Sequence, residues 1–154
     1  MGKQIMKNLL IIFLVFLSTN GILAQNKWEI IGTIDNDKPV LTINKTDVLK
    51  AFNANLFAAS QIDGKFTDLS IQSTADGNYL LVFKGSTYRS SLFVKVESRR
   101  LVALTTTSCT TSSCSTEPRG CVVMYTPDEI GYCSPCGNGG GCTKTSTGKS
   151  LISY

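Results

Sequence analysis

The chain of 154 residues contains no histidine. That removes the side chain that titrates near neutral pH, and with it Ser-His-Asp and Cys-His constellations, imidazole proton shuttles and any zinc site using a His ligand. Haem attachment through Cys-x-x-Cys-His is excluded too, because Gly137 follows Cys136. Charge is scarce and nearly balanced. Lys3 and Lys7 fall in an N-terminal leader, so the rest of the chain carries 13 basic against 11 acidic residues. So even a balance argues against nucleic acid or an anionic membrane as partner. No cysteine occurs before Cys109. Asp128 and Glu129 are adjacent carboxylates, but neighbours on a strand point apart, and a solvated turn explains them better than acid–base work. No activated nucleophile and no cofactor motif stands out, so neither catalysis nor a cofactor is expected.

The leader itself is informative. Lys3 and Lys7 precede Leu9 to Leu17, an unbroken apolar run, and Ala24 is a small residue at a suitable distance. A short basic region, a brief apolar core and a small residue at the cut describe a secretory signal peptide over residues 1–24. The apolar run is shorter than the ~20 residues that span a bilayer. No stable membrane insertion is therefore expected after cleavage. Met6 stands where myristoylation requires Ser or Thr. The chain is expected to be secreted or periplasmic.

Residues 25–107 have the composition of a small α+β domain. Trp28 to Ile34 reads as a strand, with Trp28 and Ile30 on one face and Ile31 on the other. Asp35 to Pro39 is turn-forming, and Val40 to Ile43 suits a short second strand. Asn44 matches a helix N-cap, with Asp47 in the first turn. Asn44-Lys45-Thr46 also fits a glycosylation acceptor, and the cap is the preferred reading. Val48, Leu49, Phe52, Leu56 and Phe57 then recur at helical spacing, with Lys45, Lys50 and Asn53 on the other side. Strand patterns follow at Phe66 to Ile71, Tyr79 to Lys84, Leu92 to Glu97 and Leu101 to Thr107, separated by turn residues. The second of these is apolar on both faces and should be central. The expected fold is an antiparallel four- to six-stranded meander with one packed helix, followed by a disulfide-rich loop region. Lys84, Arg89, Lys95, Arg99 and Arg100 form a loosely basic patch, which solvated strands use routinely to prevent edge pairing.

The order of strand, helix and four consecutive strands resembles the cystatin-like arrangement. The resemblance implies element order alone. The protease-binding Gln-x-Val-x-Gly pattern is absent, since Gln72-Ser73-Thr74-Ala75-Asp76 occupies the comparable region. No functional residue is carried over.

All six cysteines lie between Cys109 and Cys142. Residues 108–142 are read as a Cys-rich segment packed on the domain, and 143–154 as a tail that either frays or adds its last four residues, Leu151 to Tyr154, to a sheet edge. Thr105 to Thr116 is nearly all Ser, Thr and Cys, and Gly137 to Gly141 is Gly-Asn-Gly-Gly-Gly, so neither is expected to bury a core. Such a segment calls for covalent cross-links. Three disulfides among Cys109, Cys114, Cys121, Cys133, Cys136 and Cys142 are expected, with the pairing open. Two alternatives remain. Cys109, Cys114, Cys133 and Cys136 have a spacing that can hold a metal by four thiolates. Cys133-Ser134-Pro135-Cys136 resembles the active site of thioredoxin-like oxidoreductases, although Gly-Asn-Gly-Gly-Gly behind it cannot start a stable helix. The expected function is binding of a macromolecule or glycan, or a structural role, with thiol redox or four-thiolate metal binding as the alternative.

Overall fold

The computed structural model describes residues 27–126 and 130–154. The leader, its cleavage position, Asp128 and Glu129 lie outside the described residues. The elements in chain order are β1 (Trp28–Asp35), β2 (Lys38–Leu41), α1 (Lys45–Ser60), β3 (Asp68–Ser73), β4 (Tyr79–Lys84), β5 (Arg89–Glu97), β6 (Arg100–Leu104), β7 (Thr107–Thr111), β8 (Val123–Tyr125), β9 (Ile130–Cys133) and β10 (Thr143–Ser146). All strand pairs are antiparallel. The molecule is mostly antiparallel sheet with a single helix among the described residues.

The expected meander is present as β3, β4, β5 and β6, each paired with the next. Its hairpins follow turn chemistry. Asn36 and Asp37 both have positive φ between β1 and β2, and Ser98 and Arg99 do so between β5 and β6. Two successive residues of that kind suit the right-handed twist of paired strands. Arg99 is held there by β1: its Nη2 donates to the Ile34 carbonyl at 3.0 Å, and its own carbonyl accepts from the Ile34 amide at 2.8 Å.

The sheet is larger than the sequence suggests, with eight strands rather than four to six. It does not confirm the cystatin-like arrangement. β1 pairs with β6 and β2, and β3, the strand after the helix, pairs only with β4. The extra strands arise because the chain continues along β5 after β6. From Ala103 to Cys109 it advances six residues while β5 retreats three, from Val94 to Ser91. The surplus residues form a wide bulge around Thr105 and Thr106. There the Thr105 amide bonds the Lys27 carbonyl at 2.9 Å, and the Thr105 carbonyl accepts from Leu151 at 2.7 Å. β7 then resumes against β5 and takes β10 on its far side.

Alternation along the strands sends side chains to two cores. Leu81 and Phe83 of β4 join Leu92, Val94, Leu101 and Ala103 under the helix. Leu80 and Val82 face the opposite layer, built from the Cys-rich segment. β4 is therefore apolar on both faces because both faces are covered, as its sequence implies.

Asn44 caps α1 as expected, its side-chain oxygen accepting from the amides of Thr46 and Asp47 at 3.0 and 3.3 Å. Val48, Ala51, Phe52 and Leu56 form the buried face. Two helix residues differ from expectation. Phe57 is 48% exposed. Asn53 does not face solvent freely. Its side chain bonds the Leu49 and Phe66 carbonyls and the Phe66 amide at 2.9, 2.9 and 2.8 Å, which fixes the chain leaving the helix. The tail is not frayed, but its edge strand is Thr143–Ser146 rather than the last four residues, of which Leu151 and Ile152 enter the helix-side core.

Phe52 stacks on Phe83 at 3.7 Å between ring centres and meets the edge of Phe66 at 5.4 Å. Phe52→Ala is expected to cost ~3–5 kcal/mol in a denaturant titration. Phe57→Ala should shift the same curve by less than about 1 kcal/mol. Equal effects would show that the helix presents a different face to the sheet.

Candidate functional site

The Cys-rich layer rests on a strand that the sequence disguises. Every residue of β7 is buried, and so are Thr105 and Thr106. The expectation that this Ser/Thr/Cys stretch could not enter a core is therefore corrected. Several of its hydroxyls do so by bonding within the fold, whereas Ser108 Oγ is buried with no hydrogen-bond partner among the described residues. Ser90 Oγ lies 2.7 Å from Thr110 Oγ1 and 3.2 Å from the Cys109 carbonyl. Thr111 Oγ1 donates to the Gly141 carbonyl at 2.7 Å and accepts from the Ser113 amide at 3.0 Å. Sulfur supplies the apolar part. Cys109, Cys114, Cys121 and Cys136 are buried with Phe93, Leu104 and Val123 in the second core.

The six cysteines form three disulfides: Cys109–Cys133, Cys114–Cys136 and Cys121–Cys142, with Cα separations of 5.6, 5.7 and 5.4 Å. Each joins the first half of the segment to the second, in an interleaved order. No bridge closes a short local loop. This pairing bears on both sequence alternatives. Cys109, Cys114, Cys133 and Cys136 are joined crosswise in two bridges, which leaves no thiolate among them for a metal. Among the described residues, no group of His, Cys, Asp or Glu side chains is arranged to hold one. Cys133 and Cys136 are each bonded to a distant partner rather than to each other, and no helix follows them.

Polar contacts shape the loops between the bridges. The Glu117 carboxylate accepts from the amides of Gly137 and Asn138 at 2.8 and 3.3 Å. Gly140 lies so close to Ser113 that a Cβ there would fall 2.3 Å from the serine Cβ. The glycine-rich loop is therefore a packed surface rather than a linker.

The basic patch expected from the sequence is dispersed. Lys95 pairs with Glu97 at 2.7 Å and lies 3.9 Å over the Trp28 ring. Arg99 is used in its turn, and Lys84 and Arg100 are exposed. Arg89 is buried. Its guanidinium donates to the carbonyls of Glu117, Pro118 and Gly120 at 2.7, 3.4 and 3.4 Å and to the Gln72 side chain at 3.3 Å. Burial pulls its pKa below the usual arginine value. One side chain thus fixes the 117–120 turn to the strands beneath it.

That turn forms one wall of a groove of about 630 Å³. The other wall is the β3–β4 hairpin from Gln72 to Asp76. Leu80, Val122 and Met124 make an apolar floor, and Ser134 and Pro118 complete the module side. The ionisable groups at the rim are Asp76 and Arg119, both exposed. Thr74 and Asn78 beside Asp76 hold its carboxyl below the usual range. Comparison with family models, curated proteins and solved structures finds no match. The site must speak through its own chemistry. A groove with an apolar floor, polar rim and one charge of each sign can bind and orient a ligand. Its lining contains no thiol, imidazole or carboxylate pair.

The sequence missed this groove because its two walls lie far apart in the chain. Gln72 and Arg89 carried no motif, and it is the hydrogen bonds of Arg89 to Gln72 and to the 117–120 turn that connect the walls.

Two measurements check the architecture. Proteolytic mapping without reductant should return the three interleaved bridges, and full reduction should add six hydrogens, two for each bridge. A Cys133–Cys136 linked peptide would contradict the arrangement. Arg89→Met takes a charged donor from three carbonyls and is expected to cost ~1–3 kcal/mol in thermal or denaturant unfolding. Arg89→Lys should recover only part of this, because one ammonium cannot span the same set of acceptors.

Proposed function

We propose that this chain is an exported, disulfide-stabilised binding protein that recognises its partner through the groove between the β3–β4 hairpin and the Cys-rich layer. The carrying observation is the groove itself: an apolar floor of Leu80, Val122 and Met124 beneath a rim bearing Asp76 and Arg119. Three disulfides fit an oxidising compartment. No helix among the described residues is long and apolar enough to cross a membrane. The walls are preformed, since Arg89 and the bridges fix them before any ligand arrives, and preorganisation reduces the ordering cost of binding. In this reading sulfur fastens the site and takes no part in turnover, and the protein is not an enzyme.

The test uses the oxidised chain from Gln25 on printed arrays of glycans and peptides. A ligand retained by the unmodified protein should lose about tenfold or more in affinity to Met124→Arg and to Arg119→Glu, both altered at the groove. Retention undiminished by both variants would move the site elsewhere. Catalytic reduction of a disulfide substrate by the purified protein would sink the non-enzymatic reading.

A further inference from the structure

We propose that the groove accepts an extended peptide segment of a partner protein, which adds as a further strand to the free edge of β3 and lays an apolar side chain on Leu80, Val122 and Met124. This rests on the reading of the groove as the binding site and names the class of its ligand.

Among the described residues, three strands of the eight-stranded sheet have only one neighbour: β2, β10 and β3. Free edges invite pairing with other chains, and proteins guard them with lysine, proline, bulges or charge. β2 begins with Lys38-Pro39, and β10 carries Lys144. β3 pairs with β4 in unbroken register and has no charged residue or proline from Ser70 to Ser73. Its only guard is at its start, where the Asp68 carboxylate accepts from the Leu69 amide at 2.8 Å. The unguarded stretch leads to the groove, whose wall begins at Gln72.

The Thr74 amide bonds inward to the Asn78 carbonyl, and in an antiparallel pair the inward positions alternate. Ser70 and Gln72 therefore turn their backbone groups towards β4. Ile71 and Ser73 present theirs to the outside, as Leu69 does before Asp68 closes it. An incoming strand meets a donor and an acceptor at each of these two residues, and its alternate side chains fall on the groove side.

The groove lining contains no aromatic ring on which a sugar could stack, and one cation with one anion does not suit nucleic acid. Neither Asp76 nor Arg119 takes part in an ion pair within the described residues. A peptide satisfies both rim charges when a basic and an acidic residue flank its apolar anchor. Charge placement of that kind sets direction and register more than affinity.

The experiment pans a phage-displayed library of random linear peptides against the oxidised chain. Enriched peptides are then synthesised and titrated, with amide hydrogen exchange followed by NMR. The expected peptides carry an apolar residue flanked by opposite charges, and they slow exchange at Ile71 and Ser73. Ser73→Pro removes an outward donor at an exposed edge position and should weaken binding about tenfold or more. Unchanged exchange in β4 and β5 will report that its sheet is intact. The Asp76→Lys, Arg119→Glu double variant should prefer the charge-reversed peptide.

Peptides that bind in the groove without protecting Ile71 and Ser73 would overturn strand addition and leave the groove reading standing. A glycan that binds in a Met124-dependent way, with no peptide enriched, would overturn the peptide class alone. Protection of the same amides by self-association in the absence of peptide would make a second copy the occupant and overturn the proposal. If no peptide or glycan responds to groove substitutions, both readings fall.

Discussion

The second layer of this protein depends on three crossing sulfur bridges. Every one ties the stretch holding Cys109, Cys114 and Cys121 to the stretch holding Cys133, Cys136 and Cys142. The connecting chain is rich in Ser, Thr and Gly and has little apolar surface with which to offset its ordering entropy. Restricting the unfolded chain by three bridges, each worth ~2–4 kcal/mol, supplies what side-chain burial there cannot. The bridges also contribute matter to the core. Four of the six half-cystines are buried beside Phe93, Leu104 and Val123, where they occupy space that leucine or valine fills on the helix side.

Once that layer is in place, the sheet has two covered faces of different character. The helix covers one through stacked aromatics and aliphatics. The Cys-rich layer covers the other through sulfur, a few apolar residues and hydrogen-bonded hydroxyls. Ser91 Oγ, for example, accepts from the Val123 amide at 3.1 Å, joining β5 to the layer above it. On this second face the layer packs on Leu80 and Val82. The groove lies where it meets the β3–β4 hairpin, with Pro118, Arg119, Val122, Met124 and Ser134 on one side and Gln72 to Asp76 on the other.

The fold was legible wherever periodicity and turn chemistry carried it. The cap at Asn44, the buried stripe through Val48, Phe52 and Leu56, the two-faced apolar strand at β4 and the turns at Asn36-Asp37 and Ser98-Arg99 all follow from local residue pattern. β7 and β10 were illegible for a physical reason. Thr107-Ser108-Cys109-Thr110-Thr111 has no apolar alternation, and its burial depends on hydroxyl partners such as Ser90 and the Gly141 carbonyl that no local pattern reveals. The same holds for Arg89 and Asn53. Each is polar in sequence, and each is held by acceptors contributed from elsewhere in the chain. Of the candidate site, the cysteines were visible as a set, while their pairing and the groove depended on tertiary placement.

Arg89 shows how the two halves of the molecule act as one site. It belongs to β5, the strand that β4, β6 and β7 all share. Its guanidinium reaches outward to three carbonyls of the 117–120 turn and sideways to Gln72 of β3. Both contacts lie against the groove, since Pro118, Arg119 and Gln72 line it. A shift of the turn relative to β3 must therefore break bonds to a buried cation that forms no ion pair among the described residues. On the far side of the turn, Glu117 is bound to the Gly137 and Asn138 amides, which are adjacent to the Cys114–Cys136 bridge. Bridge, glycine loop, turn, arginine and edge strand form one mechanical chain. Covalent cross-links behind the groove can thereby fix the distance between walls that are separated by more than forty residues of sequence.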